Sequence, residues 1–372
     1  MPSDPAARAG AILEIDLGAI VANWRLLAKK AAPAACAAVV KANGYGLGAA
    51  PVARALAAEG CRRFFVATLD EGIALRGELG AEPEIAVFNG PLPGSAAEFV
   101  AARLTPVLND PDQIETWERV ATPDQRAAMI HIDTGLARLG LSPAEFETCL
   151  ETIRALDITA LISHLACAED PAHPLNALQR ERFIAARRRL PGVKASLAAS
   201  SGICLGRRFR FDAVRPGAAL YGVNPLPGRP NPMRAAVRLG AKILQLRKID
   251  SGESVGYGAA HIMDGPGLLA TAAIGYADGW PRSLSHRGCG WLAGTRVPLL
   301  GRVSMDLATF DVSAAAPAEL YPGNTIELIG DHYGVDDAAA DAATIGYEIL
   351  TALGSRYHRV YHEPPTESLL AG

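Results

Sequence analysis

The 372-residue sequence lacks the features that mark secreted, membrane-bound and nucleic-acid-binding proteins. Residues 1–10 have neither the basic segment nor the apolar segment of a secretory signal. No uninterrupted apolar run is long enough to cross a bilayer. The formal net charge of -3 indicates no basic surface for nucleic acid. We therefore expect a cytoplasmic globular protein that binds neither membranes nor nucleic acid.

Paired cysteines and a glycine-rich dinucleotide motif are also missing. The six cysteines are scattered, without a C-x-x-C pair or metal-ligand spacing, so we expect reduced structural thiols and no metal site. No G-x-G-x-x-G follows an early strand, which disfavours the open doubly wound sheet that is the main alternative fold. A chain of this length is expected to form about two domains.

The first 215 or so residues alternate between strand and helix patterns. Helix starts are marked by capping boxes at Thr68–Glu71 and Ser142–Glu145 and by Asp110-Pro111. Eight apolar strands are predicted, ending near residues 40, 67, 88, 108, 132, 163, 199 and 215. Parallel strands joined by helical crossovers, eight in number, predict an α/β fold with an N-terminal (β/α)8 TIM-like barrel.

The pattern changes after a stretch with four prolines in Pro225–Pro232, which is typical of a stiff linker. Beyond it the predicted strands are mostly separated by turns, with one late helix over residues 339–353. We therefore predict a barrel domain over residues 1–232, whose extreme N-terminus could pack with the second domain. A mostly β C-terminal domain is predicted over residues 233–372.

An apolar run ending at Lys41 is the first candidate for chemistry. The run is followed by Asn43-Gly44-Tyr45-Gly46, which turns the chain sharply. A lysine held against an apolar floor has a lowered pKa and offers a neutral amine as nucleophile or base. On this stretch alone, a solvated lysine at a strand end explains the pattern as well.

Other polar residues follow the remaining predicted strands. In a TIM barrel the active site lies at the carboxyl ends of the strands. Those positions hold Asp133 with Arg138, His164, Ser200-Ser201 and Arg215 with Gly217. Arg138 could be a surface residue after a turn, and His164 could be a core histidine. A buried Arg215, however, needs an acceptor because its guanidinium does not lose its proton.

Taken together, these stretches resemble the alanine racemases, which are pyridoxal 5'-phosphate (PLP) enzymes of fold type III. The resemblance rests on seven motifs in one order, namely Val39–Gly46, Asp133–Gly140, Ser163–Ala166, Val214–Gly222, Val255–Ala259, Ile274–Trp280 and Gly301–Asp306. It implies an enzyme that interconverts L-alanine and D-alanine, supplying D-alanine for peptidoglycan or serving D-alanine catabolism.

The resemblance also implies two bases on opposite faces of the substrate. Lys41 attaches the cofactor and serves one face, and Tyr257 serves the other from the second subunit of a homodimer with shared active sites. His164 contacts this tyrosine and Arg215, and Arg215 faces the pyridine nitrogen of the cofactor. A permanent cation there keeps that nitrogen unprotonated and restrains side reactions.

The remaining implied contacts divide between the cofactor phosphate and the substrate. The phosphate is expected to meet Tyr45, Ser201 and the backbone amides around Gly217 and Ala218. The substrate carboxylate is expected to meet Arg138 and the backbone amide of Met305, with Met305 again coming from the partner subunit. Tyr276 corresponds to a tyrosine that narrows the substrate entrance.

Two positions depart from the pattern of the family. His131 stands where many members have a lysine that becomes carbamylated and orients the arginine corresponding to Arg138. Histidine does not form that carbamate, so a bound anion or a neighbouring carboxylate are two hypotheses for its replacement. Ser355 stands where many members have a tyrosine that bonds the phosphate, so we expect either that the phosphate site is one contact short or that Tyr357 fills that place.

Three other functions share part of the pattern. A non-catalytic PLP-binding barrel protein would lack the second domain that carries Tyr257 and Met305. A PLP-dependent decarboxylase would be expected to carry a cysteine motif in that domain, where Cys289 is the only cysteine. A metal-dependent D-amino-acid lyase is disfavoured because the C-terminal region has no His/Cys ligand pair.

Overall fold

The structure is a computed structural model that describes residues 4–122 and 125–364. Within them the chain forms two compact units. The first comprises Ile20–Leu220 and Asn224–Met233, and the second comprises the described parts of Met1–Ala19, Tyr221–Val223 and Arg234–Gly372. In the part of the chain that the structure describes, no helix is both long and apolar enough to cross a membrane.

In chain order the strands are β1 (Ala11–Asp16), β2 (Ala35–Cys36), β3 (Ala38–Val39), β4 (Arg63–Val66), β5 (Glu84–Val87), β6 (Thr105–Leu108), β7 (Ala127–His131), β8 (Asp157–Ile162), β9 (Lys194–Ser196), β10 (Ala213–Val214), β11 (Val237–Ile249), β12 (Ser254–Val255), β13 (His261–Ile262), β14 (Gly267–Ala272), β15 (Cys289–Leu292), β16 (Thr295–Leu300), β17 (Ala308–Asp311), β18 (Thr325–Ile329) and β19 (His358–His362). The helical segments are α1 (Pro5–Arg8), α2 (Leu17–Ala31), α3 (Lys41–Tyr45), α4 (Ala49–Ala58), α5 (Leu69–Leu79), α6 (Ala96–Ala101), α7 (Pro111–Val120), α8 (Pro143–Thr148), α9 (Leu150–Ala155), α10 (Pro174–Arg189), α11 (Ser200–Cys204), α12 (Val335–Asp341) and α13 (Gly346–Ala352).

The first unit is the predicted parallel barrel. Strands β3 to β9 form one sheet in chain order, and every neighbouring pair is parallel. β10 joins the two ends of this sheet. It pairs in parallel with β2, next to β3, and Arg215 N–H donates to Ala198 O beyond β9 at 2.9 Å. The prediction of a (β/α)8 barrel is therefore confirmed.

The predicted helix starts in this unit are also confirmed. Thr68 and Glu71 cap α5 reciprocally, and Ser142 and Glu145 do the same for α8. Asp110 accepts the N–H of Gln113 at the start of α7. Large side chains fill the unit, among them the fully buried Phe64, Phe65, Phe99, Trp117 and Phe183.

The second unit is mostly antiparallel β structure, as predicted. Its eight-stranded sheet has the order β14-β17-β16-β15-β18-β11-β1-β19, and a further pairing of β14 with β11 closes six of these strands into a ring. The sequence interpretation missed three strands of this sheet, β1, β15 and β19. It also predicted one helix over residues 339–353, which is wrong. Two helices, α12 and α13, occur instead because Ala343 takes a positive φ of 56° between them.

Candidate active site

Lys41 lies just beyond β3, where the chain makes a tight left-handed turn. Ala42, Asn43 and Gly44 have φ values of 52°, 53° and 64°. A β-carbon at Gly44 would lie only 3.0 Å from the backbone nitrogen of Ala49, so glycine suits both the conformation and the contact. The carboxylate of Glu71 fixes the turn by accepting the N–H of Ala42 at 2.6 Å. The turn places Lys41 at the carboxyl end of the first barrel strand.

The environment of Lys41 favours its neutral form. Burial lowers the pKa of the amine, and the positive charge of Arg138 lowers it further, while Glu71 opposes the change. The amine nitrogen lies 6.0 Å from the centre of the Phe88 ring. Lys41 is therefore better suited to act as a nucleophile or base than a solvated lysine.

Arg215 is a buried cation in the same barrel. Its guanidinium donates to Ser196 O at 2.7 Å, to Ser196 Oγ at 2.5 Å and to Ser163 O at 2.5 Å. Burial lowers its pKa to about 10, which leaves it charged at neutral pH. Among the described residues, the guanidinium of Arg215 contacts no carboxylate. A buried positive charge held only by neutral acceptors suits a ligand that presents a lone pair or a negative charge.

His164 lies within electrostatic range of the other predicted barrel residues. Its pKa is lowered to about 3, mainly by burial and then by the charges of Arg215, Arg138, His131 and Lys41. These four side chains, from three different strand ends and a loop, therefore lie within electrostatic range of His164. The imidazole is neutral at physiological pH and can donate or accept a hydrogen bond.

Arg138 is carried by a loop that is fixed at both ends. The carboxylate of Asp133 accepts backbone N–H groups of Gly135, Leu136 and Ala137 at 2.8–3.2 Å. Burial raises the pKa of Asp133, but these bonds outweigh it and the pKa is lowered. Asp133 N–H and Leu141 O pair at 3.0 Å, which returns the loop to β7. In the described chain no hydrogen bond or ion pair joins Arg138 to a carboxylate, so the carboxylate hypothesis finds no support within this unit.

A second group of residues forms a small polar cluster between α11 and the turn after β10. Ser200 Oγ accepts the N–H of Gly217 at 3.0 Å and of Ala219 at 3.3 Å. A β-carbon at Gly217 would lie 2.2 Å from the phenolic oxygen of Tyr45. Ser201 and Ala218 are buried beside them. Hydroxyl groups around a glycine, where no β-carbon blocks approach to the backbone, fit a phosphate group.

The other predicted site residues belong to the second unit. Tyr257 is 72% exposed, Met305 is 54% exposed and Tyr276 is 43% exposed. Tyr276 and Met305 are brought together because Tyr276 N–H donates to Ser304 O at 3.0 Å and Ala277 N–H donates to Met305 O at 2.9 Å. Tyr257 begins a short turn after Gly256, which has a φ of 77°. Large exposed side chains of this kind are common in contact surfaces.

Ser355, which departs from the family pattern, and the nearby Tyr357 differ in burial. Ser355 is exposed, whereas Tyr357 is buried and its hydroxyl has no hydrogen-bond partner among the described residues. Burial, and then Asp278, raise the pKa of Tyr357. Tyr357 lines a cavity of about 200 Å³ in the second unit together with Asp278, Asp306 and Arg356. That Tyr357 replaces the missing phosphate contact stays a prediction.

The structure also shows site residues that the sequence interpretation did not select. Ser163 and Ser196 hold the guanidinium of Arg215, and Asn109 bonds the ring of His131. Asn109 directly follows β6. The rule that active-site residues follow barrel strands would therefore have found it.

Most of the chain matches known sequence families and structures. Residues 15–225 match the family model "Alanine racemase, N-terminal domain" and residues 236–361 match "Alanine racemase, C-terminal domain". A catabolic alanine racemase of Mesorhizobium japonicum is 52% identical over 361 residues, covering 95% of this chain and 94% of that protein. An alanine racemase of Rhodospirillum rubrum is 50% identical over 360 residues, covering 95% and 96%.

Solved structures agree with these sequence matches. The alanine racemase of Bartonella henselae, solved with covalently bound pyridoxal phosphate, has a TM-score of 0.91 at 42% identity and covers 95% of this chain and 100% of its own. The biosynthetic alanine racemase of Pseudomonas aeruginosa has a TM-score of 0.90 at 34% identity, covering 95% and 99%.

Proposed function

Because this chain belongs to the alanine racemase family, we propose that it is a PLP-dependent racemase that interconverts L-alanine and D-alanine. The observation that carries the proposal is the barrel site, where an amine with a lowered pKa lies beside two arginines and two neutral histidines. This arrangement provides a nucleophilic amine and fixed positive charges for an anionic cofactor and substrate.

The residues present fit the cofactor. Lys41 would attach it covalently, and Tyr45, Ser201 and the backbone at Gly217 and Ala218 would hold its phosphate. The glycine matters because any β-carbon at position 217 would meet Tyr45 Oη at 2.2 Å. When bound, PLP withdraws electrons from the substrate Cα and so makes its proton acidic.

Arg215 and His164 tune this site electrostatically. Arg215 remains charged and is held rigidly by Ser163 and Ser196. In our proposal it faces the pyridine nitrogen, where its charge opposes protonation. His164 stays neutral beside it and would be able to hydrogen-bond to the phenol of Tyr257 of the partner subunit without adding charge.

Racemisation needs a proton donor and a proton acceptor on opposite faces of Cα. We assign one face to Lys41 and the other to Tyr257 of the partner subunit, so that the active unit is a homodimer. Arg138 and the backbone amide of Met305 of the partner subunit would bind the substrate carboxylate, and Tyr276 would limit the size of the side chain. The reaction would take place in the cytoplasm and supply D-alanine for peptidoglycan or serve D-alanine catabolism.

The test is to incubate the purified protein with PLP and L-alanine and to measure the D/L ratio together with released CO₂. Formation of a racemic mixture without CO₂ is the expected result. CO₂ release would show a decarboxylase, and PLP binding without turnover would show a non-catalytic PLP-binding protein. Either result would overturn the proposal.

The role of Lys41 is tested with a matched pair of lysine variants. Lys41→Ala should abolish both turnover and the covalent PLP adduct that borohydride reduction and mass spectrometry detect. Lys194→Ala changes an exposed lysine at the start of β9, and it should leave both unchanged. Full racemisation by Lys41→Ala would exclude Lys41 as the essential amine.

A further inference from the structure

The side chain of Gln179 lies on the buried face of α10. Its neighbours on this face, Asn176 and Phe183, are also buried, and Gln179 itself is 0% exposed. A buried polar side chain is costly unless its donors and acceptors have partners, and an apolar residue is usual at such a position. The partners of the Gln179 amide therefore indicate why a glutamine is placed there.

Both polar atoms of this amide are hydrogen-bonded to residues that follow barrel strands. The amide oxygen accepts the N–H of Ala166 at 2.8 Å, and the amide nitrogen donates to His164 O at 2.9 Å and to Thr134 Oγ1 at 3.2 Å. Because the N–H of Ala166 can only donate, it fixes which end of the amide is the oxygen. The amide thus uses its acceptor and both of its donor hydrogens.

Two of these bonds hold the backbone on both sides of Leu165. β8 ends at Ile162 and α10 begins at Pro174, so His164 lies in the loop between them. A carbonyl and an N–H two residues apart are the groups that one residue of a neighbouring parallel strand would bind. The amide of Gln179 therefore takes the place of a strand beyond the end of the sheet. It fixes the backbone from which the imidazole of His164 extends.

The same amide is also connected to the support of Arg215. Thr134 Oγ1 and Ser163 Oγ are hydrogen-bonded at 2.8 Å, and both residues are only 1% exposed. Ser163 O in turn accepts an N–H of the Arg215 guanidinium at 2.5 Å. Buried hydrogen bonds thus lead from Gln179 both to the backbone of His164 and to an acceptor of Arg215.

From these contacts we infer that Gln179 is a positioning residue, whose side-chain amide sets the place of the His164 imidazole relative to Arg215. One step rests on the proposed function. An imidazole held in this place would bond the phenol of Tyr257 of the partner subunit and keep that base directed at the substrate Cα. Gln179 acts through His164, and as a neutral amide it adds no charge to the site.

The backbone pairing is tested first, because it does not depend on activity. Hydrogen–deuterium exchange of the protein with PLP, resolved to single residues by fragmentation mass spectrometry, compares two amides of one loop. The N–H of Ala166 bonds Gln179, whereas the N–H of Glu169 donates to no other group among the described residues. After correction for intrinsic rates, Ala166 should exchange at least about tenfold more slowly. Equal rates would overturn the inference, even if the protein racemises alanine.

Gln179→Met tests the effect on the reaction, because it removes the amide and keeps the length of the side chain. The N–H of Ala166 should then exchange faster. The value of kcat should fall about tenfold while KM changes by less than about twofold, as expected when one hydrogen bond that supports the transition state is lost. A rise in KM with kcat unchanged would contradict the inference.

Isotope effects distinguish positioning from a general loss of stability. With L-alanine and D-alanine deuterated at Cα, the primary isotope effect on kcat/KM should rise in Gln179→Met for one enantiomer only. This should be the enantiomer whose proton removal Tyr257→Phe also slows, because His164 acts on that base. An equal rise for both enantiomers, or no rise for either, would refute the positioning role.

Asn176→Leu is the matched control. Asn176 is 3% exposed on the same face of α10, and its amide donates to Cys167 O at 3.1 Å and Asp170 O at 2.9 Å, farther along the same loop. This variant should lose stability but leave the exchange of Ala166 and both isotope effects unchanged. The same isotope change in both variants would show that Gln179 has only a structural role.

A second variant covers the case in which Gln179→Met does not fold. Gln179→Glu has the same shape and still accepts the N–H of Ala166, but its carboxylate does not donate to His164 O, so the isotope effect should rise for the same enantiomer. If the unmodified protein shows no racemase activity, the proposed function fails. The exchange of Ala166 then still decides whether Gln179 holds this backbone.

Discussion

Replacement of Gly217 by alanine tests the proposed phosphate-binding cluster by adding a single carbon. The β-carbon would lie 2.2 Å from Tyr45 Oη, whereas ordinary contacts begin at 3.4 Å, so the phenol must retreat by roughly 1 Å. The φ of Gly217 is not positive, so the backbone conformation there also accepts alanine. The expected cost therefore comes from the steric clash alone. Overpacking of this kind costs about 1–3 kcal/mol of unfolding free energy.

Gly77→Ala is the matched control, and the opposite sign is expected for it. Gly77 lies exposed within α5, and a β-carbon there would meet nothing within 4 Å. Alanine is the better helix former by roughly 1 kcal/mol, so this variant should be more stable than the unmodified protein. Thermal unfolding of both variants at one PLP concentration measures the two effects.

The clash can also be relieved from the other side. Tyr45→Phe removes the oxygen at 2.2 Å and leaves the nearest ring carbon at 3.0 Å. The double variant Tyr45→Phe/Gly217→Ala should therefore lose less stability than the sum of the two single changes. The affinity of Gly217→Ala for PLP, measured by titration of the absorbance, should fall about tenfold. This corresponds to a loss of about 1.4 kcal/mol of binding free energy. Equal melting temperatures for Gly217→Ala and Gly77→Ala would refute the reasoning.

Two further predictions concern protons. The lowered pKa values of His131 and His164 mean that the unfolded chain binds more protons below their usual pKa, so unfolding free energy should fall as the pH decreases from about 6.5 toward 4. His131 alone should account for roughly 2 kcal/mol between about pH 8 and 5, measured as the difference in denaturant unfolding between the unmodified protein and His131→Gln; an equal pH dependence in both would contradict it. Tyr257→Phe should slow proton removal from one enantiomer of alanine more than from the other, which hydrogen–deuterium exchange at Cα measures; equal losses would argue against two bases.

Much of the barrel can be predicted from sequence because the patterns that specify its strands and helices each lie within a short stretch of the chain. Apolar strands and capped helices alternate at short range, and the carboxyl ends of parallel strands must share one rim. That rule placed Lys41, His164 and Arg215 correctly in one barrel. The charges of both other residues contribute to the lowered pKa of His164, so the three lie within electrostatic range at the rim.

What the sequence could not show depends on contacts between distant residues. The partner of His131 is Asn109, 22 residues earlier, and only the curvature of the barrel brings the two side chains together. β1 was missed because its partners, β11 and β19, begin more than 200 residues later in the chain. The break between α12 and α13 rests on one alanine with positive φ, for which the residue type gives no signal.

The position of β1 constrains the order in which this protein can complete its fold during synthesis. β1 leaves the ribosome first, yet it lies between β11 and β19, antiparallel to one and parallel to the other. Its backbone donors and acceptors therefore wait for the strand His358–His362 before both edges are paired. The barrel unit needs no such delay, because its closing strand ends at Val214. A nascent chain stopped before residue 358 should therefore contain all strands of the barrel, while one edge of β1 is still unpaired. An unpaired strand edge favours aggregation, so this is the state in which the chain most needs a chaperone.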